Sequence, residues 1–124
     1  EMIRNPSLNC SYEFESPAIF SGESTFYQRN GILKLLKEEL VVISTPYHTK
    51  GSVCFYSKNN NFLISGDTLF KNGIGRADLP NNASKEKNNT LQKLFILPDE
   101  TVVYPGHGSF TTIKEERILN QFVK

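Results

Sequence analysis

The chain carries only two histidines, His48 and His107. His48 stands in Ile43-Ser44-Thr45-Pro46-Tyr47-His48-Thr49-Lys50-Gly51-Ser52, and His107 in Val102-Val103-Tyr104-Pro105-Gly106-His107-Gly108. Between them lies Ile64-Ser65-Gly66-Asp67-Thr68-Leu69-Phe70. In each stretch a β-rich run stops at a Gly- or Pro-bearing turn, with a His or Asp at the stop. Neutral imidazole suits zinc and similar metals, and a carboxylate can bridge two ions through its separate oxygens. Taken singly, each residue has an ordinary explanation: a packed or surface histidine, or a turn aspartate bonding its own backbone. Taken together they occupy strand ends, where a rigid backbone can present side chains to one ligand. Two His and one Asp suit a two-metal site without filling it.

The elements that must position them follow from local pattern. Ile32 to Ser44 reads as two short strands joined by a charged turn, although Leu33, Leu36 and Leu40 also fit one helical face. Val53-Cys54-Phe55-Tyr56 and Phe62-Leu63-Ile64 flank the polar Lys58-Asn59-Asn60-Asn61 and predict a hairpin, apolar enough to be buried on both faces. Residues 71–82, with Asn72-Gly73, Gly75 and Leu79-Pro80, read as a long loop, and such loops in small domains are commonly functional. Ser84 is placed to cap a helix that buries Leu91, Leu94 and Phe95 and ends before Pro98. Thr101 to Tyr104 is a further strand. Thr112-Ile113-Lys114-Glu115 reads as a capping box opening a final helix, with Ile118, Leu119 and Phe122 expected to face inward. Residues 1–30 predict irregular chain with at most one short strand.

At 124 residues the chain fits one domain, 1–124, with a modest core. Its net charge of +1 gives no reason to expect a nucleic-acid or membrane-surface partner. No apolar run approaches the ~20 residues that span a bilayer. Glu1-Met2-Ile3-Arg4-Asn5-Pro6 lacks the pattern of a secretory signal. Cys10 and Cys54 read as free thiols in a reducing compartment, which points to the cytoplasm.

The three stretches resemble the second half of the metallo-β-lactamase-fold hydrolases, in particular their glyoxalase-II-like branch of thioesterases. The resemblance runs from about Leu8 to Phe122. It includes Gly75-Arg76-Ala77-Asp78-Leu79-Pro80, Leu97-Pro98-Asp99-Glu100 and Thr111-Thr112-Ile113 besides the stretches above. It implies an α+β fold, part of an αββα sandwich, in which a mostly antiparallel sheet carries one or two covering helices. It also implies a dinuclear centre of zinc, or of iron or manganese. His48 would hold the first metal, His107 the second, and Asp67 would bridge them and serve catalysis. Arg76 would touch a small-molecule substrate, or else brace its own loop. The implied reaction is hydrolysis of a thioester, or a related ester or amide, by a metal-bound hydroxide.

The chain also departs from that family. It has no His-x-His-x-Asp-His run, Tyr47 stands where Gly is usual, and the C-terminal extension of glutathione-specific members is missing. Two further readings follow: a fragment of a longer enzyme, inactive alone, or a shortened non-catalytic binding module. A nuclease of the same fold is disfavoured by charge. A half-sandwich bares an apolar sheet face, so self-association or pairing with an N-terminal half is expected.

Overall fold

The computed structural model describes residues 31–35 and 37–123. The expectations for residues 1–30 and for Cys10 lie outside those residues. The stretch that read as strand or helix is a hairpin of β1 (Ile32–Leu35) and β2 (Glu38–Ser44), with Leu35 opposite Glu38. Val41, Val42 and Ile43 explain the outcome, because β-branched side chains lose rotamer freedom in a helix and pack well on a pleat. The expected second hairpin is present as β3 (Val53–Ser57) and β4 (Phe62–Gly66). Its turn ends at Asn61, which takes a left-handed φ of 52°, a region Asn enters more readily than most residues. β7 (Val102–Pro105) lies parallel to β4, and β8 (Thr111–Thr112) is antiparallel to β7. The result is one six-stranded sheet in the order β1-β2-β3-β4-β7-β8.

The paired registers sort the side chains by face. Val41, Tyr56, Leu63 and Val103 share one face, and Val42, Phe55, Ile64 and Tyr104 share the other. The first face carries the core, with Cys54, Tyr56, Leu63 and Val103 packed beside Leu69, Leu94 and Ile113. The second face is only partly covered: Ile64 and Tyr104 are exposed. The expectation that both faces of β3 and β4 are buried is therefore corrected for β4.

Helix α1 (Lys87–Phe95) buries Leu91 and Leu94 as expected. Ser84 does not cap it; Ser84 opens a 3-10 turn, Ser84–Glu86, and its own N–H donates to Asn82 Oδ1 at 3.1 Å. Residues 71–82 are not all loop, because Gly73–Ile74 (β6) pairs with Leu69–Phe70 (β5) across a turn at Asn72. In α2 (Ile113–Leu119), Thr112 caps as expected by accepting from Glu115 N–H at 3.2 Å. The Glu115 carboxylate, however, turns to the Thr111 hydroxyl, 3.0 Å away, whose one hydrogen it shares with Glu116.

The inward face of α2 is the largest correction. Ile118, Leu119 and Phe122 are 58, 62 and 43% exposed, whereas Ile113, Glu116 and Asn120 are fully buried. Glu116 accepts from Asn72 N–H, the Thr111 hydroxyl and Asn120 Nδ2, at 2.9, 2.7 and 2.8 Å. A short helix with three neutral donors waiting for a carboxylate turns that carboxylate inward, against the apolar periodicity. Among the described residues no helix is long and apolar enough to cross a membrane.

Candidate metal centre

Topology brings the three singled-out stretches together. β2 and β4 are both antiparallel to β3 and so run the same way, and β7 runs parallel to β4. Their C-terminal ends therefore share one edge of the sheet, and His48, Asp67 and His107 emerge from that edge. A register shift between Ile64 and Gly66 kinks β4 just before Asp67, and such a bulge re-aims the side chain that follows. The three side chains line one cavity of about 310 Å³ together with Phe70, Gly75 and Arg76.

Asp67 stands between the two rings. Its Oδ1 accepts from His107 Nδ1 at 2.8 Å, and its Oδ2 lies 3.7 Å from His48 Nε2. The other nitrogen of His48, Nδ1, is 2.7 Å from the Arg76 carbonyl. A carbonyl only accepts, so His48 Nδ1 carries a proton, and in the neutral ring Nε2 then presents its lone pair to the cavity. The Asp67 carboxylate likewise only accepts, so His107 Nδ1 carries a proton. Phe70 packs edge-on to His107, ring centres 6.0 Å apart.

Two glycines make this closeness possible. A Cβ at Gly75 would stand 1.8 Å from the Asp67 carbonyl oxygen and 3.3 Å from His48 Cβ. A Cβ at Gly106 would stand 2.7 Å from Asp67 Oδ1, and Gly106 N–H donates to Gly66 O at 2.8 Å. Any other residue at Gly75 would push the Asp67 turn out of place, and one at Gly106 would displace the Asp67 carboxylate.

Arg76, on the rim, is gripped by Asp78: Nε and Nη2 each lie 2.7 Å from a carboxylate oxygen. Those hydrogen bonds lower the Asp78 carboxyl from 3.8 to about 2. Burial first, and the Asp78 charge second, raise the Tyr47 phenol above its usual value. Beneath the strand ends, Thr45 Oγ1 is 3.4 Å from both Cys54 Sγ and Thr68 Oγ1. Burial raises the Cys54 thiol, and bonds to Thr45 and Thr68 offset part of that rise. Sequence reasoning singled out His48, Asp67, His107 and Arg76, and the structure brings all four to one cavity. It missed Asp78 as the partner of Arg76, although the Arg-x-Asp spacing was visible. It also missed Phe70 as the wall beside His107.

The family model of the metallo-beta-lactamase superfamily matches residues 15–107. Hydroxyacylglutathione hydrolase GloC of Haemophilus influenzae is 34% identical over 105 residues, which are 84% of this chain and 50% of GloC. Probable metallo-hydrolase YqgX of Bacillus subtilis is 39% identical over 95 residues, 76% of this chain and 45% of YqgX. Among solved structures, the BLEG-1 B3 metallo-beta-lactamase superposes with a TM-score of 0.89 at 32% identity, covering 98% of this chain and 59% of that one. TTHA1623 in a di-iron-bound form gives a TM-score of 0.77 at 32% identity, covering 94% and 58%. This chain thus spans half or less of the length of these curated relatives. The extent of the family match and the three strand-end residues agree: the chain belongs to the metallo-beta-lactamase superfamily.

Proposed function

We propose that the chain is the C-terminal portion of a metal-dependent hydrolase of the glyoxalase-II-like type, cleaving a thioester or a related ester or amide. One observation carries this reading: Asp67 places one oxygen toward each of two imidazoles inside a single cavity. The donors fit a metal such as zinc, iron or manganese in type, being two imidazoles and a carboxylate. They also fit in spacing at His48, where a 3.7 Å gap to Asp67 Oδ2 leaves room for an ion about 2 Å from each. They do not fill a site. Among the described residues no three His, Cys, Asp or Glu side chains are arranged to hold an ion, and His107 is closed onto Asp67 Oδ1. His48 and Asp67 would hold the first ion, and Asp67 with His107 the second. We assign the further donors of a two-ion site to a segment outside this chain, which alone is then inactive.

A bound metal would polarise the scissile carbonyl and bring the pKa of a water near neutrality. The residues do the rest. Asp67 Oδ2 faces the cavity and can accept a proton's hydrogen bond from the attacking water, orienting it. The Arg76 carbonyl holds the His48 ring in one tautomer, as outer partners of metal-binding histidines do. The Arg76 guanidinium, braced by Asp78, meets an anionic part of the substrate at the rim. Phe70 gives the acyl group an apolar wall. A buried free thiol at Cys54 fits a cytoplasmic setting.

The test is elemental analysis of the purified chain with and without an added N-terminal half of a relative, alongside hydrolysis of a hydroxyacyl thioester. Metal uptake and thioester hydrolysis in the paired sample, both lost in Asp67→Ala, are expected. Metal uptake with no hydrolysis of any thioester, ester or amide would overturn the enzyme reading in favour of a binding module.

A further inference from the structure

We infer that Thr90 and Lys93 of helix α1 are positioning residues for His48. The turn that carries His48 leaves β2 at Ser44 and passes through Pro46, which has no N–H of its own. Three of its backbone carbonyls, those of Ser44, Pro46 and Tyr47, are met by the segment from Ala83 to Lys93. Lys93 Nζ donates to Ser44 O at 2.8 Å, and Thr90 Oγ1 donates to Pro46 O at 2.7 Å. Ala83 N–H donates to Tyr47 O at 2.8 Å, and Lys50 N–H donates to Asn81 O at 2.9 Å. Thr90 is fully buried, so its hydroxyl has no water to bond in place of that carbonyl.

This latch acts on one side of the centre only. Asp67 and His107 are held by β4, β7 and the Gly106 N–H bond to Gly66 O, whereas the Thr90 and Lys93 bonds go to Pro46 and Ser44 on the His48 side. His48 reaches the same cavity through the latched turn. Its two contacts, 2.7 Å to Arg76 O and 3.7 Å to Asp67 Oδ2, hold only while that turn keeps its height over the sheet. A shift of the turn breaks the Nδ1 bond first, and with it the single tautomer that aims Nε2 at the cavity. Thr90 and Lys93 thereby set which nitrogen of His48 is offered. The value of that choice to a metal rests on the function proposed above; the placement of the ring does not.

The test reads the imidazoles of the whole chain by long-range proton–nitrogen NMR, without metal. In the parent chain His48 is expected in one tautomer with the proton on Nδ1. Thr90→Val, which keeps shape and removes the hydroxyl, is expected to mix the tautomers and to speed exchange of that proton at least roughly fivefold. Lys93→Met is expected to do the same, Thr90→Ser to restore the parent pattern, and the His107 ring to stay unchanged throughout. An unchanged His48 ring in folded Thr90→Val and Lys93→Met overturns the inference. So does a His107 ring that shifts as much as His48, which would mark general loosening. If Thr90→Val fails to fold, Lys93→Met decides alone, its side chain being only half-buried. A zinc titration of the same samples separates the two proposals: no zinc uptake by any of them, even paired with a relative's N-terminal half, counts against the metal centre and leaves the ring result standing.

Discussion

At the scale of single residues, Asp67 is the hinge of the centre, since each of its oxygens serves a different ring. Asp67→Ala is expected to weaken zinc binding by roughly 100-fold or more, measured by calorimetry on the paired sample. Gly106→Ala is a sharper probe, because its methyl carbon would stand 2.7 Å from Asp67 Oδ1. It is expected to cost about 1–3 kcal/mol in urea denaturation and to break the His107–Asp67 bond, visible in the His107 ring spectrum. Asp78 sets a pH dependence. Its folded carboxyl lies at about 2, below the ordinary 3.8, so its bond to Arg76 stabilises the rim loop fully above pH 3.8. That stabilisation is lost as the pH falls toward 2. An NMR titration is expected to place the Asp78 midpoint near 2 and to return it toward 3.8 in Arg76→Met. A midpoint unmoved by that substitution would show that Arg76 is not its cause.

At the scale of elements, α2 shows polar demand overruling apolar periodicity. Glu116 gathers donors from the β5–β6 turn, from β8 and from its own helix end. Glu116→Leu strands the Asn72 N–H and one Asn120 Nδ2 hydrogen, while Thr111 keeps Glu115, and is expected to cost about 3 kcal/mol, read from chemical denaturation. Ile118→Ser, on the exposed face, is expected to change stability by less than about 0.5 kcal/mol. The opposite order of effects would reinstate the apolar face as the buried one. The same network holds the β5–β6 hairpin, whose Phe70 stands against His107, so a loss there reaches the rim of the cavity.

At the scale of the whole molecule, the second face of the sheet is the open question of partners. Ile64, Tyr104 and Phe110 are 42, 49 and 64% exposed. Tyr104 lies edge-on to Phe62 and tilted against Phe110, with ring centres 6.2 and 6.4 Å apart. We propose that this aromatic row drives association, with a second copy or with an N-terminal half. Light scattering is expected to show concentration-dependent growth in mass that Tyr104→Ser with Phe110→Ser abolishes. A monomer at high concentration would count against it.

What the sequence by itself determined is what depends on near neighbours. The β-branched run at Val41 to Ile43, the apolar run at Val53 to Tyr56, the Asn-rich hairpin turn and the Thr112 cap are local, and all are in place. So is the position of His48, Asp67 and His107 at strand ends, which with the surrounding motifs marked the family. Long-range pairing decided the rest. The parallel step from β4 to β7 puts three ends on one edge, and no local pattern encodes which strands will adjoin. The inward face expected for Ile118, Leu119 and Phe122 went instead to Glu116, whose donors include Asn72, far from it in sequence. Only the fold set Thr90 and Lys93 under the carbonyls of Pro46 and Ser44, which lie more than 40 residues away in sequence. Residue chemistry pointed to a candidate metal centre; only the packed chain showed one carboxylate standing between two rings, and a helix bonded to the turn that carries one of them.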